Sequence, residues 1–108
     1  GKLTLGENIG DLGGLILAYN GYKKSMQGKP QPEKIDGFTP EQRFFLGWAQ
    51  VWAAKSTPQV QRVLVASDPH SDPRFRVNGP FSNLPEFAQA FGCKVGQKMV
   101  RSNPCKIW

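Results

Sequence analysis

A chain of 108 residues has room for one small domain and excludes a large multidomain enzyme. Its hydrophobic fraction of 39%, with seven Phe, three Trp and two Tyr, suffices for a modest core and argues against a disordered chain. The net charge of +6 is typical of proteins that bind nucleic acid. The basic residues are scattered, however, and form no stripe for phosphates, so we expect a solvated surface and no nucleic-acid binding.

The sequence also limits membrane, disulfide and metal assignments. No apolar run approaches the roughly 20 residues that a transmembrane helix needs, and no export signal opens the chain. Cys93 and Cys105 could bridge, stay free or pair with cysteines outside this sequence. A catalytic zinc site usually takes about three protein ligands. Because His70 is the sole histidine, any zinc chemistry would need ligands from elsewhere.

The first predicted element is a long amphipathic helix. Apolar residues recur every three or four positions from Leu5 to Met26, which is the spacing of one helix face. Inside a helix each glycine costs roughly 1 kcal/mol relative to Ala. Four glycines nevertheless fall within its first ten residues: Gly6, Gly10, Gly13 and Gly14. We therefore expect another element to press closely against it.

An exposed connector rich in Pro and Gly, residues 28–37, separates this helix from the next. Thr39 is a good N-cap, Pro40 suits the first helical position, and Gln42 completes a capping box. The sequence FFLGWAQVWAA at residues 44–54 is apolar on almost every face, which predicts a central, buried helix. One end of that helix could line an apolar substrate pocket.

A third helix and a stiff loop are predicted next. Thr57 and Pro58 repeat the Thr-Pro start signal, and the helix is expected to end near Ser67. Its apolar stripe consists of Val60, Val63 and Leu64. Residues 68–73 contain two prolines and four turn-forming residues, so they predict a tight loop that carries the sole histidine.

The last part of the chain predicts an extended stretch and one short helix. Residues 75–77 are expected to be extended. Asn83, with Glu86 three residues later, predicts the N-cap of a helix over residues 84–91, and Gly92 is its expected C-terminal stop. The fold class predicted from these elements is mainly α, with irregular Pro/Gly-rich loops.

Two acidic residues near the start of the first helix are candidates for chemistry. Glu7 and Asp11 are four residues apart, so both carboxylates project from one helix face, one turn apart. They could simply stabilise the helix by complementing its macrodipole. Alternatively, one carboxylate could hold a metal while the other orients a ligand imidazole. The neighbouring glycines favour the metal interpretation because small residues permit close approach.

The proline-stiffened loop supplies a second set of candidates. His70 has Asp68 two residues before it and Arg76 six after it. A nearby carboxylate orients an imidazole and favours its protonated form, so His70 could stabilise a developing oxyanion. Arg76 could hold a carbonyl or carboxylate through its planar fork. The alternative is an ordinary loop histidine and an arginine that caps a nearby carbonyl.

Five motifs occur in order along the chain: ENIGDLGG at residues 7–14, FFLGWAQVWA at 44–53, DPHSDPRFRVNG at 68–79, EFAQAF at 86–91 and CKIW at 105–108. Together they closely resemble the C-terminal end of the neprilysin and endothelin-converting-enzyme family of zinc metallopeptidases. The resemblance implies that residues 1–108 are the C-terminal helical part of a thermolysin-like (gluzincin) catalytic domain. The reduced cysteine set suggests a bacterial relative.

The resemblance also implies a role for each candidate residue. Glu7 matches the third ligand of one zinc ion, and Asp11 matches the aspartate that orients a zinc-binding histidine. His70 matches the histidine that stabilises the transition state, and Asp68 matches its orienting aspartate. The matching substrate contacts are Arg76 for the peptide backbone, with Val51 and Trp52 for the pocket that takes a large apolar side chain after the scissile bond.

The same resemblance implies that this chain alone is inactive. The HExxH motif, which supplies both histidine ligands and the glutamate that activates water, is absent from the sequence. We expect a longer parent enzyme, periplasmic or at the cell surface, that cuts short peptides on the N-terminal side of large hydrophobic residues. Its upstream part would be this chain's partner, and Cys93 and Cys105 would lack their native partners here. A non-catalytic interaction domain derived from that fold is the alternative.

Overall fold

The computed structural model describes residues 1–107, and within them the chain is mainly α, as predicted. The five helices are α1 (Leu5–Ser25), α2 (Pro40–Val51), α3 (Pro58–Ser67), α4 (Pro73–Ser82) and α5 (Pro85–Phe91). None of these five combines the length and hydrophobicity that a membrane crossing requires. Helices α2 to α5 each begin with proline, whose fixed φ suits the first helical position and whose missing N–H is not needed there.

The predicted start of α2 is confirmed in detail. The Thr39 hydroxyl accepts a hydrogen bond from the Gln42 backbone N–H at 3.2 Å, and the Gln42 side chain accepts from the Thr39 N–H at 2.9 Å. This reciprocal pair satisfies two backbone donors that a helix start leaves free. Thr57 caps α3 through the Val60 N–H at 3.3 Å, so the second Thr-Pro signal is confirmed as well.

Residues 75–77 are helical, and the prediction of an extended stretch there is wrong. The Asp72 carboxylate accepts a hydrogen bond from the Arg74 N–H at 3.1 Å and thereby caps α4. With Pro73 at the first helical position, cap and proline together start a helix directly at the end of the loop. This places Arg76 in the first turn of α4.

Asn83 is also misassigned by the sequence pattern, since it is the C-cap of α4 and not the N-cap of α5. Its side-chain amide donates to the Gly79 carbonyl at 2.8 Å, and its side-chain oxygen accepts from the Cys105 N–H at 2.7 Å. The residue therefore ties the C-terminal tail to α4. Gly92 ends α5 in the left-handed conformation with φ of 66°, as predicted.

A small core forms where α1 packs on α4, α4 on α5, and α5 on α2. Its buried members are Leu12, Leu15, Phe45, Phe81 and Leu84. Phe45 is 1% exposed and contacts rings from α1, α4 and α5, including an edge-on contact to Phe81 at 5.3 Å between centroids. Phe45 is therefore the most deeply buried contact of helix α2, with Phe44, Trp48 and Ala49 packed beside it at the core.

The remaining apolar surface is more exposed than the sequence predicts. Phe45 is the only fully buried residue of α2, and Val51 at its end is 71% exposed, so the expectation of a helix buried on almost every face is wrong. Helix α3 has no buried residue, and Val65 is 81% exposed. The Val and Leu side chains of α3 are between 40% and 81% exposed.

Three of the four α1 glycines that predicted a close neighbour have none among the described residues. A Cβ atom added at Gly6, Gly10 or Gly14 would meet no other group within 4 Å. Gly13 is buried. The glycine-rich face of α1 at those three positions is therefore open in this part of the chain.

Candidate functional site

Five ionisable side chains from distant parts of the sequence meet where α1 packs against α4 and the loop before it. This ionic cluster consists of Glu7, Asp11, Asp68, His70 and Arg76. The helical spacing of the two α1 carboxylates aims both at the same side, toward the first turn of α4. All five residues that the sequence singled out for ionic roles therefore lie in one place.

The centre of the cluster is a buried ion pair between Arg76 and Asp11. Their exposed fractions are 4% and 6%. Arg76 Nη2 donates to Asp11 Oδ1 at 2.6 Å, and Arg76 Nε donates to the other carboxylate oxygen, Asp11 Oδ2. The Asp11 hydrogen bonds raise the pKa of Arg76, and burial acts in the opposite direction. A forked pair of this kind fixes the plane of the guanidinium as well as its charge.

Glu7 joins this pair to the loop histidine. Its Oε2 atom lies 3.4 Å from Arg76 Nη2 and 3.3 Å from His70 Nε2. The Glu7 side chain is 46% exposed, in contrast to the buried Asp11 one turn further along α1. Glu7 is therefore the carboxylate of α1 that a ligand can reach.

The loop before α4 is held by Asp68. Its Oδ1 atom accepts the His70 backbone N–H at 2.8 Å and lies 2.6 Å from His70 Nδ1. The backbone hydrogen bond and then the ring hydrogen bond from His70 hold the pKa of Asp68 below its ordinary value. With a carboxylate as the partner of Nδ1, that nitrogen carries a proton, and Nε2 faces Glu7. The imidazole is thus held with a defined orientation.

Two tryptophans near the end of α2 complete the surroundings of Arg76. The Trp52 ring lies over the guanidinium, with Arg76 Cζ at 4.3 Å from the ring centroid. The Trp48 indole Nε1 donates to the Arg76 backbone carbonyl at 3.1 Å. The sequence reasoning missed Trp48 as part of this site. Its four-residue spacing from Trp52 was the available signal, because such pairs share a helix face.

Two buried N–H donors at this site have no acceptor among residues 1–107. They are Arg76 Nη1 and Trp52 Nε1. A buried donor without a partner costs about 1–3 kcal/mol, so such groups are uncommon and usually have a functional explanation. Both donors belong to residues that the sequence analysis assigned to substrate contacts.

A groove of about 640 Å³ borders the cluster. Its walls include His70 and Asp68 from the loop and apolar side chains from several elements: Leu3, Trp52, Leu64, Val65 and Phe75. Val51, predicted as a pocket residue together with Trp52, is not among the lining residues and is largely exposed. The structure therefore brings Trp52 to the site and leaves Val51 outside this groove.

No complete metal site is present in the described part of the chain. Residues 1–107 contain no group of three or more His, Cys, Asp or Glu side chains arranged to hold a metal ion. Cys93 and Cys105 are free and lie outside the cluster. Of the two α1 carboxylates, the half-exposed Glu7 is the one that a metal ion could reach as a single ligand.

Comparison with known proteins gives a consistent result. The sequence model of peptidase family M13 matches residues 1–107. The whole chain is 46% identical to an endothelin-converting enzyme homolog of Locusta migratoria and 42% identical to neprilysin-1 of Caenorhabditis elegans. It covers 15% of each of those proteins, so it spans only a small part of the relatives' length.

Solved structures agree with the sequence relatives. The zinc metalloprotease Zmp1 of Mycobacterium tuberculosis in its open state matches with a TM-score of 0.91 and 44% identity, over 99% of this chain and 17% of that chain. The same protein in complex with an inhibitor matches with a TM-score of 0.85 and 46% identity, over 92% of this chain and 15% of that chain. Since animal and bacterial proteins both match, a bacterial origin stays a prediction.

Proposed function

The chain belongs to peptidase family M13, and from that premise we propose that it forms the C-terminal part of the catalytic centre of a zinc endopeptidase. One observation carries the proposal: Arg76 contacts two α1 carboxylates, 65 and 69 residues away in the sequence, beside a histidine fixed by its own aspartate. The parent enzyme is the longer peptidase that would contain this chain. Relatives several times longer support its existence.

Glu7 is the residue that would hold the metal. Its carboxylate is half-exposed, and a carboxylate oxygen is an ordinary zinc donor. The remaining ligands would come from the upstream part of the parent, because residues 1–107 offer no group of three donors. The chemistry that zinc supplies in hydrolases is polarisation of a carbonyl and activation of water. Asp11, whose oxygens both contact Arg76, keeps lone pairs with which it could also orient a ligand imidazole.

His70 and Arg76 would act on the substrate. Arg76 Nη1, buried and without an acceptor among residues 1–107, is suited to donate to a backbone carbonyl of the peptide. His70, oriented by Asp68, would donate a hydrogen bond to the oxyanion that develops when the scissile carbonyl becomes tetrahedral. These donors need no rearrangement at the moment of reaction, which is the main advantage of a preorganised site.

The groove beside the cluster supports a preference for apolar side chains. We propose that the parent cuts short peptides before large hydrophobic residues, with Trp52 and Leu64 among the groups that receive the side chain. Val51 would reach that side chain only if the parent's other segments close over its exposed face. We also propose a periplasmic, extracellular or cell-surface location for the parent, which rests on the family resemblance.

The test is steady-state kinetics of the parent enzyme on a peptide with phenylalanine after the scissile bond. We expect hydrolysis that a chelator abolishes and that zinc restores. His70→Gln is expected to lower kcat by about 10²–10³-fold with little change in KM, because an oxyanion donor acts only in the transition state. An unchanged kcat would remove His70 from the mechanism. A parent that binds no zinc and cuts no peptide would favour the alternative, a non-catalytic interaction domain.

A further inference from the structure

Two side chains on one face of α2 contact Arg76, one at its backbone and one at its guanidinium. The Trp48 indole N–H donates to the Arg76 backbone carbonyl at 3.1 Å, and the Trp52 ring covers the guanidinium at 4.3 Å from Cζ to the ring centroid. The two tryptophans lie four residues apart, with ring centroids 5.9 Å from each other. Backbone and side chain of Arg76 are therefore both fixed from α2, although Arg76 belongs to α4.

The contacts leave the guanidinium with one unused edge. Nε and Nη2 are taken by Asp11, Nη2 also approaches Glu7, and Trp52 covers one face. Nη1 remains buried with no acceptor among residues 1–107. Because the other edges and one face are occupied, rotation of the group is restricted, and the direction of the Nη1 hydrogens is fixed by the surrounding protein.

An aromatic ring over a guanidinium has two consequences. It attracts the cation through the negative face of the π-system, most strongly where water is excluded. It also excludes water from that face. Water then competes less with a ligand carbonyl for the remaining N–H groups. Both effects favour a strong hydrogen bond from Nη1 to a ligand that enters the site.

We propose that Trp52 and Trp48 are positioning residues, which hold Arg76 so that its Nη1 hydrogens meet a backbone carbonyl oxygen of the bound peptide. The inference rests on the proposed function. It assigns to Trp52 a task separate from lining a side-chain pocket. It also gives Trp48, which lines no part of the groove, a reason to carry an indole N–H.

The two possible tasks of Trp52 predict different substrate dependence. A pocket wall contacts the side chain after the scissile bond, so its loss would matter most for a phenylalanine substrate and least for an alanine substrate. A positioning residue acts through Arg76 on a backbone carbonyl that every peptide has. Its loss would lower kcat/KM by the same factor for both substrates.

The first experiment compares Trp52→Leu and Trp52→Phe in the parent enzyme on matched peptides with Ala, Leu or Phe after the scissile bond. For Trp52→Leu we expect about a tenfold loss of kcat/KM already on the Ala peptide, because the cation–π contact to Arg76 is lost. Any further loss on the Leu and Phe peptides would report the groove wall that Trp52 also forms. Trp52→Phe keeps an aromatic face and is expected to stay within about threefold of the wild type on the Ala peptide. An unchanged kcat/KM of Trp52→Leu on the Ala peptide would overturn the proposal.

Coupling to Arg76 is the second readout. In an Arg76→Lys background the guanidinium is absent, so adding Trp52→Leu should lower kcat/KM by less than about twofold. Full additivity of the two substitutions would contradict the positioning role. Trp48→Phe, which removes only the indole N–H, is expected to cost about threefold. Val95→Ala, at a side chain that is 87% exposed and does not line the groove, is the control expected to match the wild type.

A third readout needs no catalysis and separates this inference from the proposed function. In the 108-residue chain, the Arg76 side-chain Nε–H proton should show an upfield ring-current shift in an NMR spectrum. Trp52→Leu should abolish the shift and Trp52→Phe should retain part of it. A parent enzyme without peptidase activity would refute the proposed function. An Arg76 signal that Trp52→Leu leaves in place would refute the stacking on which this inference depends.

Discussion

The seam between α1 and α4 and the outer side of α3 are opposites in burial. In the seam a charged pair, Asp11 and Arg76, is buried to 6% and 4% exposure. On α3 the apolar side chains are exposed; Val63, for example, is 65% exposed. A stable small domain usually buries apolar groups and exposes charges. The buried ion pair is consistent with the proposed catalytic role of the seam, and exposed apolar patches like that of α3 commonly mark contact surfaces.

Removing Asp11 should have the largest effect on stability, because it breaks the buried ion pair of the seam. Asp11→Ala leaves the Arg76 guanidinium buried without its counter-ion, and we expect a loss of about 3–5 kcal/mol in the free energy of unfolding. Urea unfolding of the 108-residue chain measures it. Glu33→Ala, at an exposed connector position, is the control and should stay within about 0.5 kcal/mol. A loss below about 1 kcal/mol for Asp11→Ala would contradict the central place of this ion pair.

Two phenylalanines test whether burial governs the contribution of apolar side chains to stability. Phe45 is 1% exposed and Phe75 is 56% exposed. Phe45→Ala should cost about 3–5 kcal/mol because it opens a cavity at the hub of the aromatic core. Phe75→Ala should cost less than about 1 kcal/mol. Equal losses in thermal or urea unfolding would show that the burial contrast does not govern stability.

Helix α3 should depend on its cap, since none of its residues is buried. Thr57→Ala removes the hydrogen bond to the Val60 N–H and should cost about 1 kcal/mol in local stability. Amide hydrogen exchange should accelerate in α3 and stay unchanged in α4. Thr4→Ala is the matched control, because the Thr4 side chain makes no cap hydrogen bond to α1. Equal changes of amide exchange in α1 and α3 would show that the Thr57 cap does not stabilise α3.

The smallest expected effect is a pH dependence of the loop before α4. The folded-state pKa of Asp68 is lowered by the His70 hydrogen bonds. Its contribution to loop stability is therefore fully present above about pH 4, the ordinary aspartate value, and is lost as the pH falls through the lowered pKa. The His70 amide NMR signal should follow this transition with a midpoint below about 4.

The matched variant for the loop is Asp68→Asn. It keeps an oxygen acceptor of the same shape but does not titrate, so the transition of the His70 amide should disappear. A midpoint at or above the ordinary aspartate value in the wild type would contradict the hydrogen bonding described here.

Local signals allowed much of the fold to be predicted from the sequence. The capping box at Thr39 and the Gly92 stop depend on neighbours in the chain, and both are confirmed. Residues 75–77 were mispredicted because the Asp72 cap was read only as part of a turn. Asn83 followed by Glu86 fits a capping-box spacing, but its side chain binds Gly79 and the tail, which no local pattern reveals.

The sequence predicted which residues form the ionic cluster but not the contacts between them. Helical spacing put Glu7 and Asp11 on one face, and the proline-stiffened loop singled out His70 and Arg76. The motif resemblance then implied a role for each of them. The binding of Asp11 by Arg76 Nε and Nη2, and the stacking of Arg76 on Trp52, depend on how α1, α2 and α4 pack together. Burial was overestimated for the same reason, since exposure depends on which other segments are present.

The most direct test of the account is the zinc content of the parent enzyme carrying Glu7→Gln, measured by elemental analysis after dialysis. Glu33→Gln, the same chemical change in the exposed connector, is the control. We predict about one zinc per wild-type and Glu33→Gln molecule, with at least a tenfold weaker affinity and loss of peptidase activity for Glu7→Gln. Full zinc content together with normal peptidase activity in Glu7→Gln would contradict the assignment of Glu7 to the metal.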